Sequence, residues 1–101
     1  MDPNATLTRL ISALAGMRVS EAYSLATDLD RWVINGGFHP INPDWHEYVE
    51  MADLFAGMVF VTAGLTPPVE DGPDAVLTML ITAESSVEVM ADMLFGGSIE
   101  N

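Results

Sequence analysis

The chain has 101 residues, a length that suits one folded domain rather than two. It carries 15 acidic and three basic residues, so its formal net charge is -12, while half of its residues are hydrophobic and cysteine is absent. These numbers exclude a disulfide, a thiolate metal site and a cysteine nucleophile, and they argue against direct nucleic-acid binding, which needs a basic face. A disordered acidic tail is equally unexpected, because the apolar content is too high.

Residues 4–15 predict a first helix. Apolar residues recur there with the spacing of one helix face, at Leu7, Leu10, Ile11 and Leu14. Asn4 or Thr6 is expected to cap its start, because a short polar side chain can accept from free backbone N–H groups. Gly16 is expected to end it.

A second helix is predicted from Ser20, the expected N-cap, to the sequence Asn35-Gly36-Gly37, where glycine can adopt the left-handed conformation that ends a helix. Its apolar stripe comprises Ala22, Leu25, Ala26, Leu29, Trp32 and Val33. Because the break after Gly16 is short, the two helices are expected to form an antiparallel hairpin over residues 4–37.

A rigid connector over residues 38–43 and a third helix over residues 43–65 come next. Pro40 and Pro43 restrict the connector, and Asn42 is expected to cap the helix with Pro43 at its first position. From Met51 onward a second apolar face is added, formed by Met51, Leu54, Met58, Val61 and Leu65. A helix that is apolar all round is usually buried, so the second half of this helix is expected at the centre of the fold.

The last part of the chain predicts a loop over residues 66–73 and then either one helix or a broken helix over residues 73–95. Ser85 and Glu88 have the spacing of a capping box, which would break the helix near residues 84–86. Residues 76–82 are rich in β-branched side chains, so a strand is an alternative there. Gly96-Gly97 is expected to end the last helix.

The predicted fold is therefore all-α, a compact bundle of four or five helices over residues 1–101, with the N-terminal hairpin packed on a central apolar third helix. The longest apolar run, residues 54–65, is shorter than the roughly 20 residues that span a bilayer. The first residues lack the basic segment of a signal peptide. We expect a cytoplasmic protein without membrane contact.

Acidic side chains on two of these helices are the candidate partner-binding residues. Glu84, Glu88 and Asp92 recur every four residues and so share one helix face, and Glu47 and Glu50 lie on the third helix. A stripe of carboxylates without a neighbouring lysine or arginine is typical either of a solvated helix face or of a docking surface for a basic protein.

Aromatic residues flank the connector. Trp32, Phe38 and Trp45 are expected to pack together and clamp the hairpin on the third helix, or to form an exposed anchor for a partner.

His46, Glu50 and Asp53 follow a helical spacing and are the candidate residues for a metal site, although no facing helix repeats the pattern. The chain contains no lysine, no Gly-x-Ser-x-Gly sequence, no phosphate loop and no His-Glu-x-x-His sequence. We therefore expect neither catalytic residues nor a cofactor.

Residues 29–32, Leu-Asp-Arg-Trp, and residues 36–40, Gly-Gly-Phe-His-Pro, resemble the end of a helical hairpin in small acidic proteins of phages and bacteria. This resemblance covers residues 7–40 and implies no activity.

Taken with the charge, the sequence favours a small non-enzymatic interaction or regulatory protein that docks on a basic protein surface, with a phage or mobile-element inhibitor or a DNA mimic as its specific forms. One alternative is a structural or assembly protein that forms homo-oligomers through its third helix, with acidity serving only solubility. A halophilic surface is a separate explanation of the charge. A second alternative is a small metal-dependent enzyme.

Overall fold

The computed structural model is all-helical over the residues that it describes, which are 1–66, 72–91 and 93. Four helices lie in this part of the chain: α1 (Pro3–Ala15), α2 (Val19–Ile34), α3 (Trp45–Ala63) and α4 (Gly72–Ala91). The predicted all-α class is confirmed. The chain forms two compact units, Met1–Ala56 and Gly57–Asn101.

The start of α1 is fixed by Asp2 rather than by Asn4 or Thr6. The Asp2 carboxylate accepts hydrogen bonds from the backbone N–H groups of Asn4 (2.9 Å) and Ala5 (3.4 Å). Pro3 occupies the first helical position, where its missing N–H is not needed, so the helix begins earlier than predicted. The Asn4 side chain instead accepts from the N–H of Ile41 at 2.8 Å and ties the connector to α1.

The turn between α1 and α2 places Met17 in the left-handed region. Its φ is 56°, its N–H donates to Leu14, and the N–H of Arg18 donates to Ala13 at 2.8 Å. This is a Schellman motif in which methionine stands where glycine is usual. Because the turn is so short, α2 begins at Val19, and the prediction that Ser20 is its N-cap is wrong.

The next two helices end with the same motif, α2 at the predicted Gly36 and α3 at Gly64, which was not predicted as a helix end. Gly36 has a φ of 93° after α2, and Gly64 has a φ of 72° after α3. The Gly36 N–H donates to Val33 and the Gly64 N–H to Val61, both at 3.1 Å. Glycine adopts this conformation without the steric strain that a side chain would add.

The core of the first unit joins the hairpin to α3. α1 and α2 pack against each other as the predicted hairpin, and the first half of α3 adds Trp45 and Ala52 to their buried cluster. The other buried members are Leu7, Leu10, Ala13, Leu14, Ala22, Leu25, Ala26 and Leu29. The periodic residues of α1 and α2 therefore form this core, as their spacing predicts.

α3 begins at Trp45, two residues later than predicted. The Asn42 side chain does accept a backbone hydrogen bond, but from the N–H of Asp44 at 2.9 Å, which holds a turn ahead of the helix. The helix ends at Ala63.

α4 is one continuous helix, so neither a break near residues 84–86 nor a strand over residues 76–82 is present. Its threonine hydroxyls are satisfied inside the helix: Thr78 donates to the Asp74 carbonyl at 3.0 Å and Thr82 to the Thr78 carbonyl at 3.3 Å. The helical spacing buries Leu80 and Ala83. Loop residues 67–71 and the predicted end at Gly96-Gly97 lie outside the described residues.

Within the part of the chain that the structure covers, the helices are too short or too polar to cross a lipid bilayer.

Candidate functional site

An exposed apolar stripe runs along α3. Its four members, which we name the α3 apolar face, are Met51, Leu54, Met58 and Val61, with 44%, 66%, 62% and 80% of their surface exposed. They follow one another at intervals of three, four and three residues and so lie in one row about 15 Å long. This spacing is that of the contact positions of a helix that pairs with another helix.

The opposite face of α3 is buried through Ala52, Ala56 and Phe60, each no more than 3% exposed. The expectation that the second apolar face would also be buried is wrong for these four residues. Apolar residues on both faces of a helix favour burial of both faces, but the spacing along the chain does not show what packs against the second face. Here the second face lies in solvent.

Carboxylates border this face on the first half of α3. Glu47, Glu50 and Asp53 are all exposed. Partial burial raises the pKa of Asp53, and the carboxylates of Asp30 on α2 and of Glu50 raise it further. Like charges therefore crowd together where α2 and α3 meet, and a cation placed there would relieve their repulsion.

Tyr23 of α2 belongs to the same neighbourhood. Its pKa is raised by burial and then by the Asp53 carboxylate, while a hydrogen bond with Thr27 and the charge of Arg31 lower it. Sequence reasoning identified Asp53 only as a metal candidate and missed Asp30 and Tyr23. No signal along the chain joins them, because the pairing of α2 with α3 brings them together.

The acidic stripe predicted on α4 is only partly described. Glu84 is partly buried and takes part in an interaction with another group. The side chain of Glu88 and the whole of Asp92 lie outside the described residues. That stripe stays a prediction, whereas Glu47 and Glu50 do lie exposed on α3.

The three predicted aromatic residues divide into two groups. The Trp32 and Phe38 rings meet edge to face at 5.9 Å, and the Trp32 indole N–H donates to the Phe38 carbonyl at 3.1 Å. Trp45 is buried, and its ring contacts are with His39 at 5.6 Å and His46 at 3.6 Å. Trp45 is thus a core residue, and Phe38 remains 61% exposed.

The candidate metal residues do not form a cluster. No group of three or more histidine, aspartate or glutamate side chains that could hold a metal ion occurs among the described residues. The His46 ring stacks on Trp45, whereas Asp53 lies near Asp30 and Glu50.

The chain matches no protein-family model, and comparison with curated proteins and with solved structures found no significant match.

Proposed function

We propose that the chain is a small non-enzymatic interaction or regulatory protein that docks on a basic partner protein, in the cytoplasm. The observation that carries the proposal is the α3 apolar face, which exposes four large apolar side chains in one row beside acidic residues. Contiguous exposed apolar surface with a polar border is characteristic of protein–protein interfaces.

The charge favours a basic partner. The three arginines of the chain, Arg9, Arg18 and Arg31, precede α3, and α3 itself contains no lysine or arginine. Arg18 is paired with Glu21 at 2.9 Å. The net charge of -12 would attract a cationic partner. Because the charged residues of α3 are all acidic, none of them would repel it.

Two defined peptides test the proposal. Both are amphipathic helices with leucine on one face, and they differ in carrying lysine or glutamate on the other faces. Binding to the lysine peptide, weakened by added salt, is the expected result, because screening reduces attraction between opposite charges. Binding of both peptides with equal affinity would refute the assignment of a basic partner.

A matched pair of valines tests the surface. Val61 is 80% exposed on α3 and Val89 is 58% exposed on α4. Because burial of a valine side chain contributes about 1.5 kcal/mol or more, Val61→Ser is expected to weaken binding of the lysine peptide about tenfold. Val89→Ser serves as the control and is expected to leave binding unchanged. Equal effects of the two substitutions would remove α3 from the interface.

The inhibitor and DNA-mimic forms are narrower versions of the same proposal. The DNA mimic would require that the basic partner be a nucleic-acid-binding protein and that DNA compete for the same surface. Competition by DNA for a captured basic protein supports the mimic, and simultaneous binding of DNA and this chain refutes it.

A second candidate function is self-assembly through the same face. The alternating spacing of the α3 apolar face suits pairing of two copies, and an antiparallel pair would hold the two sets of Glu47, Glu50 and Asp53 at opposite ends. Salt distinguishes the candidates, since two chains of net charge -12 repel each other and screening would strengthen their association. Sedimentation velocity at low and high salt would show an oligomer that grows with salt, and a monomer at every concentration would exclude it.

A further inference from the structure

An apolar groove lies beside the α3 apolar face in the first unit. It is formed between the second half of α1 and the first half of α3, and its volume is about 260 Å³. Its lining residues are Ile11, Leu14, Ala15, Tyr48, Met51 and Phe55. Met51 belongs to both the groove and the α3 apolar face, so the two surfaces are continuous.

The size and lining of the groove restrict its occupant. Pockets for drug-sized ligands begin at about 300 Å³ and carry several convergent polar groups, whereas a dry cavity of about 150 Å³ holds a benzene ring. A groove of about 260 Å³ whose one polar side chain is Tyr48 therefore suits a single large apolar side chain.

The charge around the groove indicates what carries that side chain. Glu47 and Glu50 are exposed on the same helix turn as Tyr48 and Met51. The carboxyl end of α1, which adds partial negative charge, contributes Leu14 and Ala15 to the lining. A second copy of this chain would bring more negative charge to the same place.

We propose that this groove receives one large aromatic or aliphatic side chain of the basic partner, presented by an amphipathic helix that runs along the α3 apolar face. This inference rests on the proposed function and deepens it, because it assigns the groove as the determinant of specificity. Interfaces concentrate their binding energy in a few such anchors that fill pockets.

A substitution that fills the groove tests the assignment. Ala15 is exposed at the end of α1, so Ala15→Phe adds a ring to the groove without altering the buried core. Ala5 is also exposed on α1 but does not line the groove, so Ala5→Phe is the matched control. Far-UV circular dichroism checks that each variant keeps its helices. If Ala15→Phe loses them, Ala15→Leu fills the groove with a smaller side chain.

The probe is the lysine–leucine peptide, in which each leucine is changed in turn to alanine and each affinity is measured. Changing one particular leucine of the peptide to alanine is expected to weaken its binding about tenfold or more. This loss of affinity is expected to disappear when the peptide binds Ala15→Phe and to persist when it binds Ala5→Phe. Equal contributions from every leucine, or a dominant leucine that Ala15→Phe leaves unaffected, would overturn the anchor.

Two further results separate this inference from the proposed function. Loss of peptide binding in Val61→Ser, together with a flat leucine scan, keeps the α3 apolar face as the interface and rejects the groove. Absence of any binding to the parent peptide rejects both. Sedimentation could instead show a dimer that is lost in Ala15→Phe and kept in Ala5→Phe. That result would show that a second copy fills the groove, and it would overturn the basic partner as the occupant.

Discussion

The same substitution at two leucines tests the exposed face directly. Leu29 on α2 is fully buried, whereas Leu54 on α3 is 66% exposed. Leu29→Ala is expected to destabilise the protein by about 2–5 kcal/mol, because it removes buried methyl groups and leaves a cavity. Leu54 buries about a third of its surface, so Leu54→Ala loses about a third of the roughly 1.5–3 kcal/mol for full burial. The better helix propensity of alanine returns about 0.2 kcal/mol, which leaves a net cost near 0.5 kcal/mol.

Urea unfolding followed by circular dichroism measures both free energies of unfolding. The expected result is a separation of more than about 1.5 kcal/mol between the two variants. A cost above about 2 kcal/mol for Leu54→Ala would refute the reasoning, because it would mean that folding buries this side chain. If that cost appears only as protein concentration rises, a second copy covers the α3 apolar face, and the self-assembly candidate is favoured over the basic partner.

Three further predictions concern backbone and charge. Gly37→Ala would place a Cβ within 2.6 Å of a Trp32 ring carbon, so urea unfolding is expected to show a loss of about 1–3 kcal/mol as the indole is displaced. Gly57→Ala, on an exposed helix position with open space around it, is expected to stabilise the protein by about 0.5–1 kcal/mol, and any loss would reveal a hidden contact. Because the pKa of Asp53 is raised, its ionised form opposes folding above that pKa, and the penalty disappears as pH falls below the ordinary value. Asp53→Asn is therefore expected to raise the free energy of unfolding at neutral pH by more than Asp28→Asn, which removes the same charge. In acid the two substitutions are expected to have equal effects. Equal gains at neutral pH would contradict the prediction.

The helix ends show how far local sequence determines this fold. Glycine at position 36 has a backbone preference that acts within a few residues, so the end of α2 was predicted without knowledge of the fold. Gly64 and Pro3 act in the same local way, although the predicted bounds did not use them. Local reasoning was wrong where two local solutions compete. Asp2, and not Asn4, caps α1. Met17 adopts a strained left-handed conformation because the turn between α1 and α2 is short.

The candidate site was less accessible from the sequence. The apolar spacing of Met51, Leu54, Met58 and Val61 is visible along the chain, and it predicts a contact surface of some kind. Whether that surface is internal or external depends on what packs against it, and spacing along one helix carries no such information. The neighbourhood of Asp30 and Asp53 arises in the same way, because helix packing brings together residues that are far apart in the chain.

The sequence by itself therefore determined the all-α class, the hairpin and its core, since helix periodicity and capping are local properties that this chain expresses strongly. It also determined that the chain is strongly acidic, because the net charge of -12 does not depend on the fold. Only the tertiary structure decided which face of α3 meets water and that α1 and α3 enclose an apolar groove. Burial is a relation between elements, and it exists only once they have packed.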